Sequence, residues 1–187
     1  MAGSRERACA LIDEDLARLR SEFGGHIISE DGSDLPQVLA QLLMARRLTI
    51  ATAEIGTGGL LAARLNEASD DLKWFARGLV LPPSAMAERS VAGLPRAALH
   101  LSTLAREEAN ADIGLGIGEI ILKDHQKRNA YVEVCIGVDI GGKTGYRTLN
   151  FRAKRARAWA ADAALALLRE SLLGKFPVDQ FKRDSSD

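Results

Sequence analysis

Cysteine is scarce in this chain of 187 residues, which holds only Cys9 and Cys135. The first falls on a predicted N-terminal helix and the second in a strand-like run, and neither belongs to a CxxC pair. That excludes a disulfide framework, and with no secretory signal a reduced, cytoplasmic protein is expected. A surplus of charge is missing too, because 25 Lys and Arg residues balance 25 Asp and Glu. No overall field then draws the chain to nucleic acid or to an anionic membrane. Apolar runs stay well short of the ~20 residues that span a bilayer, so no transmembrane helix is expected. His26, His100 and His125 stand apart from one another and from carboxylates at ligand spacing, which excludes the usual metal sites. No motif calls for a cofactor.

What is present is a length suited to one domain with extensions. Leu11, Ile12, Leu16 and Leu19 recur at helical spacing over 5–23. They predict an amphipathic helix, closed by Gly24 and Gly25, that packs on the main body or on a partner subunit. Asp34 before Leu35 and Pro36 supplies a cap and an early proline for a helix over 36–47. Strand composition over 48–53 gives way to a helix over 57–68, a βα unit. A second strand over 74–81 ends at Pro82 and Pro83, which cannot continue a ladder, and Ser84 can cap a helix to about residue 92. A further helix is predicted over 102–110. Residues 111–121 alternate apolar residues with glycine, which reads either as a strand approached closely by a neighbour or as a loop. Residues 131–140 and 146–151 predict an antiparallel hairpin around Gly141, Gly142 and Lys143. An alanine-rich helix over 153–173 follows, and the polar tail 174–187 is expected to be loose. The sum is an α/β fold: a three-layer α/β/α domain with a mixed sheet over 33–173, preceded by an N-terminal helical extension and linker over 1–32.

The segment that carries chemistry is 52–59, T-A-E-I-G-T-G-G. A strand that ends in a glycine-rich turn and feeds a helix presents free N–H groups and the positive end of the helix dipole, which suits an anion or phosphate. Gly56-Thr57-Gly58-Gly59 is not a Walker loop, since no G-K-[ST] follows. Nor is it a dinucleotide fingerprint, since Leu61 takes the third glycine position. A tight turn without a ligand is the competing reading. Glu54 lies where α/β folds dock ligands, or else it caps the next helix. The segment 114–119, with Gly114, Gly116 and Gly118, either brings backbone amides to the same crevice or is a strand end packed tightly against a neighbour. Arg152, Lys154, Arg155 and Arg157 cluster at the start of the last helix, against its dipole, as a solvated basic face or as a hold on a phosphate. Cys135 reads as a buried, inert thiol, and no G-x-S-x-G elbow is present.

The turn resembles the signature A-E-S-C-T-G-G of the C-terminal domain of the competence/damage-inducible CinA family. Ala53, Glu54, Thr57, Gly58 and Gly59 match it, while Ile55 and Gly56 stand in place of its serine and cysteine. The run F-A-R-G-L-V over 75–80 resembles the family's F-x-G-G-V-V strand, 131–138 its G-T-V-Y-I-A strand, and A-L-A-L-L over 164–168 the end of its last helix. The likeness covers about 35–173. Residues 5–28 look like the segment preceding this domain in full-length members, whose large nucleotide-handling N-terminal domain the sequence does not contain.

The resemblance implies hydrolysis of the amide of nicotinamide mononucleotide by a serine in the turn, helped by a tyrosine and a lysine in a Y-S-N-x-x-K segment. Here Ile55 stands at the serine, Pro82 at the tyrosine, and Ala87, or Glu88 in a shifted register, at the lysine. A further motif, T-G-I-A-G-P, maps onto 115–120 with only Gly116 and Ile117 kept. The expectation is a nicotinamide-nucleotide amidase-like pseudoenzyme, with Ile55, Gly56, Pro82 and Ala87 as degenerate catalytic positions. Glu54, Thr57, Gly58, Gly59 and Gly116 form its expected ligand set, for a nucleotide or other small anion. The alternatives are an active hydrolase with a rearranged site using Thr57, Glu54 or Ser84, and an interaction protein. A homo-oligomer is expected, largely by analogy with the family.

Overall fold

The computed structural model of the chain describes residues 2–84, 94–123, 130–152 and 154–175. The helix expected from Ser84 to about residue 92, with Ala87 and Glu88, and the tail beyond 175 lie outside the described residues.

Local chemistry sets the elements. Asp34 caps α2 (Leu35–Arg46) by accepting from the Gln37 N–H, while the Gln37 side chain accepts from the Asp34 N–H, a capping box with proline in the first turn. β1 (Ile50–Glu54) is buried at every residue, as a central parallel strand requires. Through α3 (Leu60–Glu67) it leads to β2 (Phe75–Val80), which pairs parallel with β1 so that Glu54 faces Val80. β3 (Ile113–Ile117) lies parallel on the other side of β1. β5 (Tyr131–Ile140) and β6 (Lys143–Arg152) form an antiparallel hairpin across Gly141 and Gly142, whose φ of 58° and 89° make the turn one that favours glycine. β5 also runs antiparallel to β3 and, farther along, to the short β4 (Ile121–Leu122). The result is a six-stranded mixed sheet in the order β2-β1-β3-β5, with β4 and β6 both on β5.

Helices cover both faces, giving the three layers. α2, α3 and α5 (Ala156–Leu172) pack on one face, where Leu39, Leu43, Leu61, Leu65 and Leu165 meet Ile50, Leu115 and Ile136. Each such Leu or Ile contributes about 1.5–3 kcal/mol by burial, so this face supplies most of the hydrophobic stabilisation. The opposite face carries α4 (Leu94–Glu108) on small residues: Ala51 and Ala53, with Gly114, Gly116 and Gly137. A Cβ on Gly114 would lie 1.8 Å from the Ser102 carbonyl oxygen, so α4 rests directly on strand backbone. Within the glycine alternation over 111–121, residues 113–117 are therefore a strand approached closely by a neighbour, while 118–120 are loop. Asp139, buried beside α4, accepts from Thr103 Oγ1 and the Gly142 N–H and lies 3.0 Å from Arg106 Nε, close enough to pair as charges though not aligned as a hydrogen bond.

Several expected boundaries move, each for a local reason. α4 begins at Leu94 rather than 102, because Pro95 fits a first helical turn and Ala98, Leu101, Ser102 and Ala105 share one buried face. α3 begins at Leu60 rather than 57, because Gly58 and Gly59 take φ of 64° and 94°, outside the right-handed helix. α5 begins at Ala156 rather than 153, after Arg155 at φ 67°. The first helix, α1 (Ala2–Phe23), forms but does not lie on the body as one reading expected. Its Leu11, Ile12, Leu19 and Phe23 are about half exposed, between 49% and 59%. It is joined near its end by Arg20, which holds Glu30, while Arg169 Nη2 donates to the Ile27 carbonyl just beyond it at 2.7 Å.

Candidate functional site

β1 and β3 lie side by side and parallel, and their chains leave in opposite directions, β1 through α3 toward β2 and β3 toward β5. Such a reversal opens a crevice beyond the strand ends, where α/β folds take ligands. Past β1 the two exits stay joined: the Ile55 N–H donates to Ile117 O at 3.0 Å and the Gly56 N–H to Gly118 O at 3.1 Å. Gly56 is pressed between them. A Cβ there would lie 2.7 Å from Gly118 O and 2.7 Å from Ile120 Cγ1, so no side chain fits without backbone movement. Ile55 is 8% exposed and packs with Ala51, Ala53 and Leu101 on the α4 side of the sheet.

Glu54 points the other way, toward α3, and is fully buried. Its carboxylate accepts from Thr57 Oγ1 at 2.6 Å, from the Leu61 N–H at 3.0 Å and from the Ala62 N–H at 2.8 Å. This is the helix-capping arrangement. The anion at the N-terminus of α3 is the protein's own, and it satisfies first-turn donors and dipole from within. Thr57 is 3% exposed and turned into that carboxylate. Gly58 and Gly59 shape the turn. Gly116 lies in β3 beneath α4, where a Cβ would meet the Ser102 nitrogen at 2.5 Å, so it serves helix packing.

A cleft of about 680 Å³ opens at the strand exits, within the size range of small-molecule sites. Ile55 and Gly56 form its floor, and Pro83, Ile120, Leu122 and Val132 give it apolar walls. Its charges are Glu119, which follows β3, and Arg155 and Arg157 at the N-terminus of α5. Arg155 occupies the N-cap position in the left-handed region and supplies no side-chain cap. Unlike α3, then, α5 ends on the cleft without a side-chain cap at its N-cap, and with two exposed guanidinium groups. Among the described residues neither arginine has an ion-pair partner. No described lining residue carries a hydroxyl, thiol, imidazole or amine. The described lining can hold an anion and cover an apolar group; it offers no hydroxyl or thiol nucleophile, and its one carboxylate is Glu119.

Of the residues singled out from sequence, the cleft brings together Ile55, Gly56, Arg155 and Arg157. Glu54, Thr57 and Gly116 face other neighbours, and Pro82 sits exposed after β2. Pro83, Glu119 and Ile120 belong to the two segments that the sequence already sets near the turn, the Pro82-Pro83 loop and 114–120, while Leu122 and Val132 were missed. These two pair with each other from β4 and β5, a contact that no local signal in the sequence displays. Cys135 is buried beside Thr148, whose hydroxyl lies 3.7 Å from its Sγ. Among the described residues no group of three His, Cys, Asp or Glu could hold a metal, and no helix is long and apolar enough to cross a membrane.

A three-layer α/β/α body with its crevice at this strand reversal and the T-A-E-x-x-T-G-G turn defines a CinA C-terminal type of protein. Residues 32–172 match the CinA C-terminal domain family, and the chain belongs to that family. It is similar to a CinA-like protein from Koribacter versatilis, 30% identical over 186 residues that span 92% of this chain and 45% of that one. A CinA-like protein from Dictyoglomus thermophilum is 28% identical over 92% of this chain and 45% of its own. The chain thus spans less than half the length of these relatives. The crystal structure of a competence-damaged protein (CinA) superfamily protein from Escherichia coli superposes with a TM-score of 0.62 at 26% identity, over 74% of this chain and 89% of that one.

Proposed function

We propose that this CinA family chain binds a small phosphate-bearing molecule of nucleotide size and does not perform the serine-based amide hydrolysis that the family signature implies. The observation that supports this reading is the convergence of Arg155, Arg157 and the N-terminus of α5, whose N-cap residue supplies no side-chain cap, on a cleft lined by Ile55. Guanidinium groups hold phosphate oxygens through paired, charge-assisted hydrogen bonds, and free N–H groups of a helix start add to the same field. Ile120, Leu122 and Val132 suit the apolar part of a ring-bearing ligand. Amide hydrolysis needs a nucleophile, a group to take its proton and donors for the oxyanion. Ile55 has no reactive atom, and the Thr57 hydroxyl is buried against Glu54.

Two measurements test the reading: ammonia release from nicotinamide mononucleotide, and calorimetric binding of mononucleotides. The expected result is no ammonia above background, with binding that is lost in the Arg155→Ala/Arg157→Ala variant. Robust turnover that vanishes in Thr57→Ala would establish the rearranged hydrolase instead. Binding unchanged in the double arginine variant would overturn the anion site.

A further inference from the structure

We propose that α1 pairs with α1 of a second copy of this chain as a short, parallel, in-register two-stranded coiled coil. Cys9, Ile12, Leu16, Leu19 and Phe23 follow one another at alternating steps of three and four, the 3.5-residue period of a coiled-coil seam, with Leu11 beside it at an outer position. The structure leaves this seam open. Ile12 is 57% exposed, Leu19 49% and Phe23 50%, Cys9 is exposed, and only Leu16 is partly covered.

The flanking charges select the occupant and its direction. With Leu16 and Phe23 at a and Ile12 and Leu19 at d, Asp15 falls at g and Arg20 at the following e. In a parallel pair, g of one helix lies beside the next e of the other, so Asp15 of each copy meets Arg20 of the other, twice by symmetry. An antiparallel pair would instead set the g residues Asp15 and Glu22 acid facing acid, offsetting the attraction between its e residues Asp13 and Arg20, whereas the charge pairs of the parallel register are all attractive. Arg20 already grips Glu30 of its own chain through Nε and Nη2, at 2.8 and 2.5 Å, which leaves Nη1 outside that pair for Asp15 of the other copy. A seam of about two heptads is short, so the association is concentration-dependent.

Cys9 reports the register, because only in the parallel pair do the two Cys9 side chains meet at the seam; Cys135 is buried and does not compete. The experiment uses the full chain in sedimentation equilibrium across the micromolar range, with copper–phenanthroline oxidation followed by non-reducing electrophoresis. A dimer that grows with concentration and cross-links through Cys9, with no cross-link in Cys9→Ser, is expected. Leu16→Asp/Leu19→Asp should be monomeric. Asp15→Arg or Arg20→Asp alone should weaken the dimer several-fold, and the two together should restore it, a rescue that misfolding would not give. A monomer throughout would leave the seam to some other occupant, a dimer that fails to cross-link would exclude the parallel register, and a dimer indifferent to Leu16→Asp/Leu19→Asp would place the interface elsewhere. Each of these overturns the proposal.

Discussion

Glu54 ends β1 with its carboxylate turned toward α3, where three donors meet it in a site with no water exposure. Glu54→Gln keeps the shape but presents an amide NH₂ to a group of donors, so we expect a loss of about 1–3 kcal/mol in urea unfolding. Thr57→Ala removes a single bond and is expected to cost about 0.5–1.5 kcal/mol. Gly56 obeys a steric rule instead. Gly56→Ala drives a Cβ into Gly118 O and Ile120, and overpacking of that kind costs about 1–3 kcal/mol. Ile120→Ala should relieve it only in part, because the carbonyl oxygen is backbone. The side chain of Ile120 thus fills part of the space that any side chain at 56 would need. For the same reason, restoring serine and cysteine at 55 and 56 is expected to lower stability without creating amidase activity.

Among elements, α1 is the least attached, and its tether has a pH dependence of known sign. The Glu30 carboxyl is held below its ordinary value first by the hydrogen bond from Arg20, with the charge of that guanidinium adding to it. A lowered folded value means the contact is fully present above the unfolded carboxyl value and is lost as pH falls through the folded one. NMR titration should show Glu30 titrating below the usual carboxylate range, and Arg20→Ala should return it there; an unshifted Glu30 in the parent chain would show the tether is absent. Elements whose determinants are local were legible in sequence. Asp34, Pro36 and Gln37 specify the start of α2, and the Gly141-Gly142 turn specifies the hairpin. The start of α4 was not, because its apolar face becomes visible only once Gly114, Gly116 and Gly137 are known to leave room for it. Gly58, Gly59 and Arg155 shifted two more helix starts through backbone conformations that the sequence does not display.

At the scale of the whole molecule, the cleft joins segments a hundred residues apart, Gly56 from β1's exit and Arg157 from α5, and so the turn at 52–59 was legible while the site was not. The sequence singled out Ile55, Gly56, Arg155 and Arg157 of the cleft, and it put Glu54 in the expected ligand set, where the carboxylate is engaged by Thr57 and the first N–H groups of α3. A ligand that binds only the folded chain stabilises it by mass action, about 2.7 kcal/mol at one hundred times its dissociation constant. For a chain of this size that corresponds to a rise in Tm of roughly 5–10 °C. A thermal-shift series with mononucleotides, run at fixed protein concentration because α1 pairing would itself make Tm concentration-dependent, should show such a rise. The Arg155→Ala/Arg157→Ala variant should lose it while its own Tm stays close to that of the parent, since both side chains are exposed. Added salt should shrink the rise, because the guanidinium groups face solvent and are screened. A rise that survives in the double variant, or that ignores salt, would place the ligand outside the cleft at the end of α5.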